Sequence, residues 1–496
     1  MRRALLALPQ QSLEKGAAGA APTETARRFA VRGDGWQEIT WEGFQDRVQA
    51  LAGYLHRHGV RKGDRVALLS ENRPEWAVSD LAAQLLGAAN VSIYTSLPPS
   101  KVGYILRDSG AKVCVVSVPV QRKKVQEIAA DCPALEEVRE APPVPMTHWD
   151  DALGAGRDYW AAHAEELVEG AEAITPDDMS ALIYTSGTTG EPKGVVLTHR
   201  NFCSNVKAAL QRVSFGEDLS FLPLSHAFER TAGHTAVLAA GATISYAESI
   251  EAVSQNLQEV QPTLMISVPR MFEKVNNRVT KQAGEGSVVQ QKIFEWAVDV
   301  GERYAQAQQE GGAGPVLRAQ KAVAHRLVFS KLHEKLGGNL RFAVSGGAAL
   351  PKEIGIFFQA AGVTIIEGYG LTETAPVLTI NPMDAPRYGT VGHILPGVTV
   401  AIQPLEADAP VGAVSGSDYP TSPEGEILVK GPNVMEKYWE RPEETRAAFD
   451  KNGWYHSGDV GRFVDGYLEI TDRIKHMVFT EGGKNVYPGP IEEAFK

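Results

Sequence analysis

Short apolar runs recur along this chain, separated by stretches with helical periodicity. Arg65–Leu69 and residues 113–118, 181–184, 243–246, 263–268, 340–344 and 363–366 are rich in Val, Ile, Leu and Ala. Runs of that length predict buried strands. Between the first two, residues 75–87 place Trp76, Val78, Leu81, Ala82 and Leu85 on roughly one helical face, with Asn72-Arg73-Pro74 as a start signal. Strand and helix in alternation predict an α/β fold with mainly parallel, doubly wound sheets covered on both faces. Residues 281–337 interrupt that rhythm with two long helical stretches on either side of Gly311-Gly312-Ala313-Gly314-Pro315. Ile293, Trp296, Ala297 and Val300 recur at helical spacing in the first, and an aromatic on such a face reads as core. Val316, Val323 and Leu327 recur likewise in the second, with Gln320 as the one polar member. Beyond Arg387 the texture turns to Gly, Pro and alternating β-formers at 389–402, 425–429 and 467–470, which predicts a β-rich, barrel-like subdomain. Residues 404–424 are acidic and rich in Ser, Pro and Gly, the composition of a solvated loop. The expected division is an α/β core at 1–386, the β-rich subdomain of the same N-terminal domain at 387–471, and a further segment at 472–496.

The strand 181–184 runs into Thr185-Ser186-Gly187-Thr188-Thr189-Gly190-Glu191-Pro192-Lys193-Gly194, and Val195-Val196-Leu197 follows. A glycine-rich loop therefore caps a hairpin. Gly187 and Gly190 can take positive φ, so that successive N–H groups converge on an anion. Thr185, Ser186, Thr188 and Thr189 add hydroxyls, and Lys193 adds a charge. A polyphosphate suits such a loop. An ordinary surface turn needs fewer polar residues, and a Walker A loop would open a helix where Val195 opens a strand.

Four further stretches carry chemistry. Ser345-Gly346-Gly347-Ala348-Ala349-Leu350-Pro351 follows a strand, and its small residues at Gly346, Gly347 and Ala348 let a planar ring approach the backbone. Glu367-Gly368-Tyr369-Gly370-Leu371-Thr372-Glu373-Thr374 leaves the strand 363–366 at the carboxyl end of a sheet, where open α/β folds bind ligands. Tyr369 offers an aromatic face, Thr372 a hydroxyl for phosphate, and Glu373 a hard oxygen for Mg²⁺. Asp459, in Ser457-Gly458-Asp459, can accept two hydrogen bonds from a ribose diol, and Arg473 has the fork geometry for ribose and phosphate oxygens. His226 lies in Leu222-Pro223-Leu224-Ser225-His226-Ala227-Phe228-Glu229-Arg230, where a lone histidine is more often a satisfied structural residue.

These motifs, in this order, resemble the acyl-adenylate-forming enzymes. With Val268-Pro269-Arg270-Met271-Phe272 and the helical insertion they resemble the long-chain fatty acyl-CoA synthetases in particular, from about Trp41 to the end. The resemblance implies ATP, Mg²⁺ and CoA as reactants. A fatty carboxylate attacks the α-phosphorus, pyrophosphate leaves, and CoA then displaces AMP from the acyl-adenylate. It assigns Lys193, Thr372, Glu373 and His226 to the catalytic centre, His226 as a wall of the acyl pocket rather than a proton carrier. It assigns 185–190, 346–348, Glu367, Gly368, Tyr369, Gly370, Asp459 and Arg473 to the nucleotide. Glu373 and Thr185 would hold the metal, Asp472 would be a hinge, and Gly482, Gly483 and Lys484 would serve the CoA step. Only 25 residues follow Thr471, so the lid that family members carry there is expected to be truncated. An enzyme loading a carrier protein, and a non-catalytic nucleotide- and acyl-binding remnant, are the competing readings.

Composition trims the partners. Lys and Arg number 49 against 60 Asp and Glu, a net charge of −11, so no overall basic field recruits nucleic acid. Three scattered cysteines, Cys114, Cys132 and Cys203, fit a reducing compartment. The apolar start is cut short by Pro9, too early for a signal peptide. A cytoplasmic protein is expected, with membrane-surface contact and a homodimer left open.

Overall fold

The computed structural model describes residues 25–31, 35–135, 147–185, 191–309, 312–405, 411–414, 421–474, 478–479 and 485–486. The chain forms two compact units, Met1–Ile266 with Met435–Pro442, and Ser267–Val434 with Glu443–Lys496.

In the first unit, parallel strands Met179–Thr185, Ala89–Ile93, Arg65–Leu69 and Val113–Val116 lie side by side in that order. Lys193–Thr198 and then Lys437–Tyr438 extend the Met179 side antiparallel. Leu69, Ile93, Val102, Leu182 and Val196 pack as one core. Leu264–Ser267, Asp218–Ser220, Ile244–Tyr246, Thr25–Val31 and Gly35–Thr40 make a second run of strands, antiparallel only at the last pair. The helix expected at 75–87 spans Pro74–Leu85, opens on Pro74 and is buried on nearly every side, not on one face. Ala89–Ile93 carries no apolar run, because Asn90 and Ser92 sit in its middle. It is nonetheless fully buried, since Asn90 Nδ2 donates to Asp80 Oδ1 at 2.7 Å and Ser92 Oγ donates to Asn90 Oδ1 at 2.7 Å.

In the second unit, Phe342–Ser345 and Thr364–Gly370 are parallel, and Val377–Ile380 and His393–Ile394 continue antiparallel. The β-rich subdomain is a five-stranded antiparallel sheet: Val411–Val414, Thr399–Pro404, Gly425–Lys430, Tyr455–Val464, Tyr467–Arg473. The 404–424 segment is therefore not loop throughout, for Val411–Val414 pairs with Thr399–Pro404. The helical insertion holds Pro269–Gly284, Val288–Gln309, Pro315–Ala324, a wide π-type turn at His325–Phe329, and Ser330–Lys335. Ala297 and Val300 are buried as the periodicity implies, whereas Val316, Val323 and Leu327 are exposed. Among the described residues no helix is long and apolar enough to cross a membrane.

One packing contact in the first unit tolerates only glycine. The helices Trp41–Arg57 and Trp149–Glu172 approach so closely that a Cβ on Gly156 would lie 1.9 Å from the Ala50 carbonyl oxygen. A Cβ on Gly53 would lie 2.4 Å from the Gly156 oxygen. Gly154, two residues and about a half-turn away, has open space around it. Gly156→Ala should therefore cost about 1–3 kcal/mol in urea denaturation, the usual penalty of overpacking. Gly154→Ala should be neutral or gain about 0.5–1 kcal/mol from the alanine's helix preference. Equal effects at the two positions would show that the helices are not in backbone contact.

Candidate active site

The hairpin that carries the glycine-rich loop forms in the expected register. Met179–Thr185 and Lys193–Thr198 pair to their ends, with Thr185 opposite Lys193. Ser186, Gly187, Thr188, Thr189 and Gly190 lie outside the described residues. The limb that returns from the loop is held on both sides. Tyr104 Oη donates to the Pro192 carbonyl at 3.0 Å, and Lys101 Nζ meets Glu191 Oε2 at 3.0 Å. Lys193 is half-buried, its ammonium 5.4 Å from the centre of the Tyr438 ring.

Tyr438 belongs to a strap, Met435–Pro442, that the chain returns to this unit. Trp439 N donates to the Gly194 carbonyl at 2.7 Å, and Trp439 Nε1 to the Asp108 carbonyl at 2.9 Å. The Asp108 carboxylate accepts from Tyr184 Oη at 2.7 Å and from Arg441 Nη2 at 3.1 Å. Burial, followed by that carboxylate, drives the Tyr184 phenol far above its usual range, so it stays a donor. A side chain on Gly194 would crowd Leu182 and Trp439 at 2.9 and 3.2 Å.

His226 sits exposed on a loop of this same unit. Its Nδ1 accepts from the Phe228 N–H at 3.1 Å, which leaves the proton on Nε2, and its ring meets Tyr94 edge-on at 6.5 Å. Asn72 clamps the loop, donating to the Leu222 carbonyl at 2.5 Å and accepting from Leu224 N at 3.0 Å. Behind it a π-type helix, Glu229–Thr235, buries its charges completely. Arg230 Nη2 donates to Asp80 Oδ1 at 2.5 Å, with the guanidinium 5.8 Å from the Trp76 ring centre and 5.1 Å from that of Phe202. Burial alone would raise the Asp80 carboxyl; Arg230 and His234 outweigh it and leave Asp80 below its usual range. Glu229 accepts from Ser220 Oγ at 2.6 Å, and burial, then the charge of Asp218, pushes it well above the ordinary carboxylate range. Asp80 and Arg230 are 150 positions apart, so no local pattern announces the pair. The one sequence signal is the Glu229-Arg230 dipeptide that closes the 222–230 block.

In the second unit, the strand expected to stop at 366 runs on through Glu367, Gly368, Tyr369 and Gly370, and half the motif is strand rather than loop. A Cβ on Gly370 would lie 1.8 Å from the Pro376 carbonyl oxygen, so the hairpin closes only on glycine. Its tip is the 3₁₀ turn Thr372–Thr374, pinned by Leu371 N to Thr374 Oγ1 at 3.0 Å and by Asn433 Nδ2 to the Thr374 carbonyl at 2.8 Å. Thr372 and Glu373 are thus half-buried on a fixed turn.

Glu367 turns away from the tip and accepts the Leu350 N–H at 2.9 Å, fastening the Ser345–Pro351 turn to the strand. Gly346 is buried there, while Gly347 (φ +82°) and Ala348 are exposed, with open space where a Gly347 side chain would be. Tyr369 Oη donates to Asp459 Oδ2 at 2.7 Å, and Arg473 Nε meets Asp459 Oδ1 at 2.9 Å. Asp459 and Arg473 face each other across adjacent strands, with Asp472 opposite Val460. Burial raises the Asp459 carboxyl, and Tyr369 and Arg473 offset it only in part. Gly482, Gly483 and Lys484 lie outside the described residues.

Comparison with known proteins identifies the family. The AMP-binding enzyme family matches residues 17–439. A long-chain-fatty-acid–CoA ligase of Mycobacterium bovis is 36% identical over 467 residues, covering 93% of this chain and 74% of that protein. A peroxisomal long chain acyl-CoA synthetase of Arabidopsis thaliana is 31% identical, covering 94% and 66%. Among solved structures, ATP-bound MatB from Rhodopseudomonas palustris superposes with a TM-score of 0.70 at 26% identity, over 99% of this chain and 83% of that one.

Burial raises the Glu367 carboxyl to about 7, well above its unfolded value near 4.3. The folded state then holds a proton that the unfolded chain has lost, so stability falls as pH rises between those values and is lowest above 7. Glu367→Gln keeps the acceptor for Leu350 and removes the titration. Urea midpoints at pH 5 and pH 7.5 should therefore drop with pH less in Glu367→Gln than in the parent, by on the order of 2 kcal/mol. Parallel pH profiles would place Glu367 in water.

Proposed function

This chain belongs to the AMP-binding enzyme family, and on that premise we propose that it activates a long-chain fatty acid as its acyl-adenylate and transfers the acyl group to CoA. The likeness to long-chain ligases along almost the whole chain carries the substrate class. The geometry supports the nucleotide chemistry: in the second unit three motifs distant in sequence, at 346–348, 367–373 and 459–473, are tied together by Glu367 and Asp459.

In the first step a carboxylate oxygen of the fatty acid bonds to the α-phosphorus of ATP and pyrophosphate leaves. In the second the CoA sulfur bonds to the acyl carbon and AMP leaves. No side chain forms a covalent intermediate, so the protein's work is to position reactants and to neutralise charge. Lys193 meets the phosphates together with Thr185, Ser186, Gly187, Thr188, Thr189 and Gly190. Gly346, Gly347 and Ala348 leave backbone open for the adenine, which Tyr369 would flank. Gly368 and Gly370, whose bare faces meet Thr379 and Pro376 of the hairpin, carry the strand past the nucleotide, and Thr372 donates to its α-phosphate. Asp459 holds the ribose hydroxyls, already oriented by Tyr369 and Arg473. His226, its proton fixed on Nε2, serves as a wall of the acyl pocket. Asp472 is the pivot, and Gly482, Gly483 and Lys484 act in the CoA step.

Among the described residues no three His, Cys, Asp or Glu side chains form a metal cluster. Mg²⁺ is ordinarily held by one or two carboxylates plus the phosphates of its substrate. Glu373 would give the ion a carboxylate oxygen, and the bound ion would neutralise phosphate charge.

Acid-dependent pyrophosphate release across a series of saturated fatty acids tests the reading. Release that rises with chain length, with AMP and a thioester formed when CoA is present, is the expected result; release indifferent to fatty acid would overturn it. Lys193→Ala should lower kcat/KM for ATP about tenfold to a hundredfold, the worth of one charge-assisted hydrogen bond. Its melting temperature should barely move, because the exchange removes only a cation–π contact worth about 0.5–1 kcal/mol. An unchanged ATP dependence would return Lys193 to a structural role. Glu373→Gln keeps the shape and loses the charge, so half-maximal activity should need several-fold more magnesium. A magnesium titration that overlays the parent's would remove Glu373 from the metal.

A further inference from the structure

The helix Pro315–Ala324 and the π-type turn His325–Phe329 that continues it present an apolar stripe outward. Val316 is 73% exposed, Val323 50% and Leu327 53%, at positions seven and eleven residues apart, which return to one side of a helix. The opposite side is the one that packs: Ala324, Phe329 and Leu332 are buried. Scattered exposed apolar residues need no explanation, but three in one line do. The segment is also cationic. From Pro315 to Lys335 it carries Arg318, Lys321, Arg326, Lys331 and Lys335 against Glu334 alone, in a chain whose net charge is −11. Arg318, Arg326, Lys331 and Lys335 are exposed, while Lys321 lies over the Tyr304 ring at 4.9 Å. The neighbouring helix Val288–Gln309 exposes Val288 and Val289 at its start, but its exposed cations Lys292 and Arg303 are outnumbered by Glu295, Asp299 and Glu302, so the excess of positive charge lies on 315–335.

We propose that this face docks the protein on an anionic lipid surface, with Val316, Val323 and Leu327 entering the headgroup boundary and Arg326 and Lys331 meeting lipid phosphates. A helix that combines an apolar line with flanking Lys and Arg has the makeup of an interfacial helix. The alternatives fit less well. A two-fold contact with a second copy would bring the same cations together across the interface. A polyanion without apolar character would leave the valines and leucine unused. The purpose rests on the fatty-acyl substrate proposed above: each CH₂ favours the bilayer by about 0.8 kcal/mol, so a long-chain acid is collected at a membrane. The docking itself does not depend on that reading.

The test is co-sedimentation of the full chain with vesicles of phosphatidylcholine alone and of phosphatidylcholine mixed with phosphatidylglycerol, without ATP. Binding is expected to the mixed vesicles only and to weaken as salt is raised. Arg326→Gln with Lys331→Gln should lose about fivefold per cation, about thirtyfold together. Val323→Glu with Leu327→Glu should lose about tenfold or more. Both doubles should keep the parent's melting temperature, and Arg326→Lys should keep its binding, which separates lost docking from lost folding. Equal binding to neutral vesicles, or doubles that bind like the parent, would overturn the proposal. So would sedimentation velocity showing a dimer that the doubles break, with no vesicle binding. An active chain that ignores vesicles sinks the docking alone; one that binds them without releasing pyrophosphate leaves docking standing and sinks the substrate.

Discussion

A carboxylate taken out of water must be given a partner or be neutralised, and both units are arranged around that constraint. Asp80 has the Arg230 guanidinium and the Asn90 amide. Asp108 has the Tyr184 hydroxyl and Arg441. Glu367 has one backbone N–H, and Asp459 has Tyr369 and Arg473. Each binds segments that are remote in sequence. Removing one partner from such a pair would cost more than the pair contributes, since the remaining charge stays buried. These contacts therefore select one arrangement more than they add stability, and that is what a site made of separate loops requires.

Division of labour follows from geometry. In the first unit the Met179–Thr198 hairpin is braced from outside by Tyr104, Lys101 and the 435–442 strap. The His226 loop is braced from behind by Asn72 and a buried π-type turn, a local irregularity of the kind often kept at functional sites. In the second unit the site residues hold one another directly. Tyr369 and Arg473 fill both oxygens of Asp459, so any ligand donating to that carboxylate has to share or displace hydrogen bonds that are already in place. Preorganisation of that sort spends its cost in folding, before substrate arrives.

How much of this the residues announced depends on whether the signal was local. The strands at Arg65–Leu69, Phe342–Ser345 and Thr364–Gly370, and the hairpin ending at Lys193, were legible because an apolar run or a glycine-rich turn marks them. Ala89–Ile93 was not, because Asn90 and Ser92 look like surface until Asp80 supplies a buried acceptor. Val411–Val414 was hidden by polar flanks. Val316, Val323 and Leu327 have helical periodicity, but periodicity reports which residues share a face and not what that face meets. At the site, residue types at motif positions were legible, whereas the Glu367–Leu350 bond and the Asp80–Arg230 pair arise only from tertiary placement.

The 435–442 strap has a consequence for biosynthesis. Lys193–Thr198 is an edge strand until Lys437–Tyr438 pairs with it, and the two lie more than 200 positions apart. At a translation rate of about 5–20 residues per second, that edge stays open for some tens of seconds while the second unit is being made. An unpaired edge is a template for strands of other chains. The yield of this protein should then be governed less by its final stability than by what covers one strand in that interval, and the nascent chain, not the finished enzyme, is the state most in need of a chaperone.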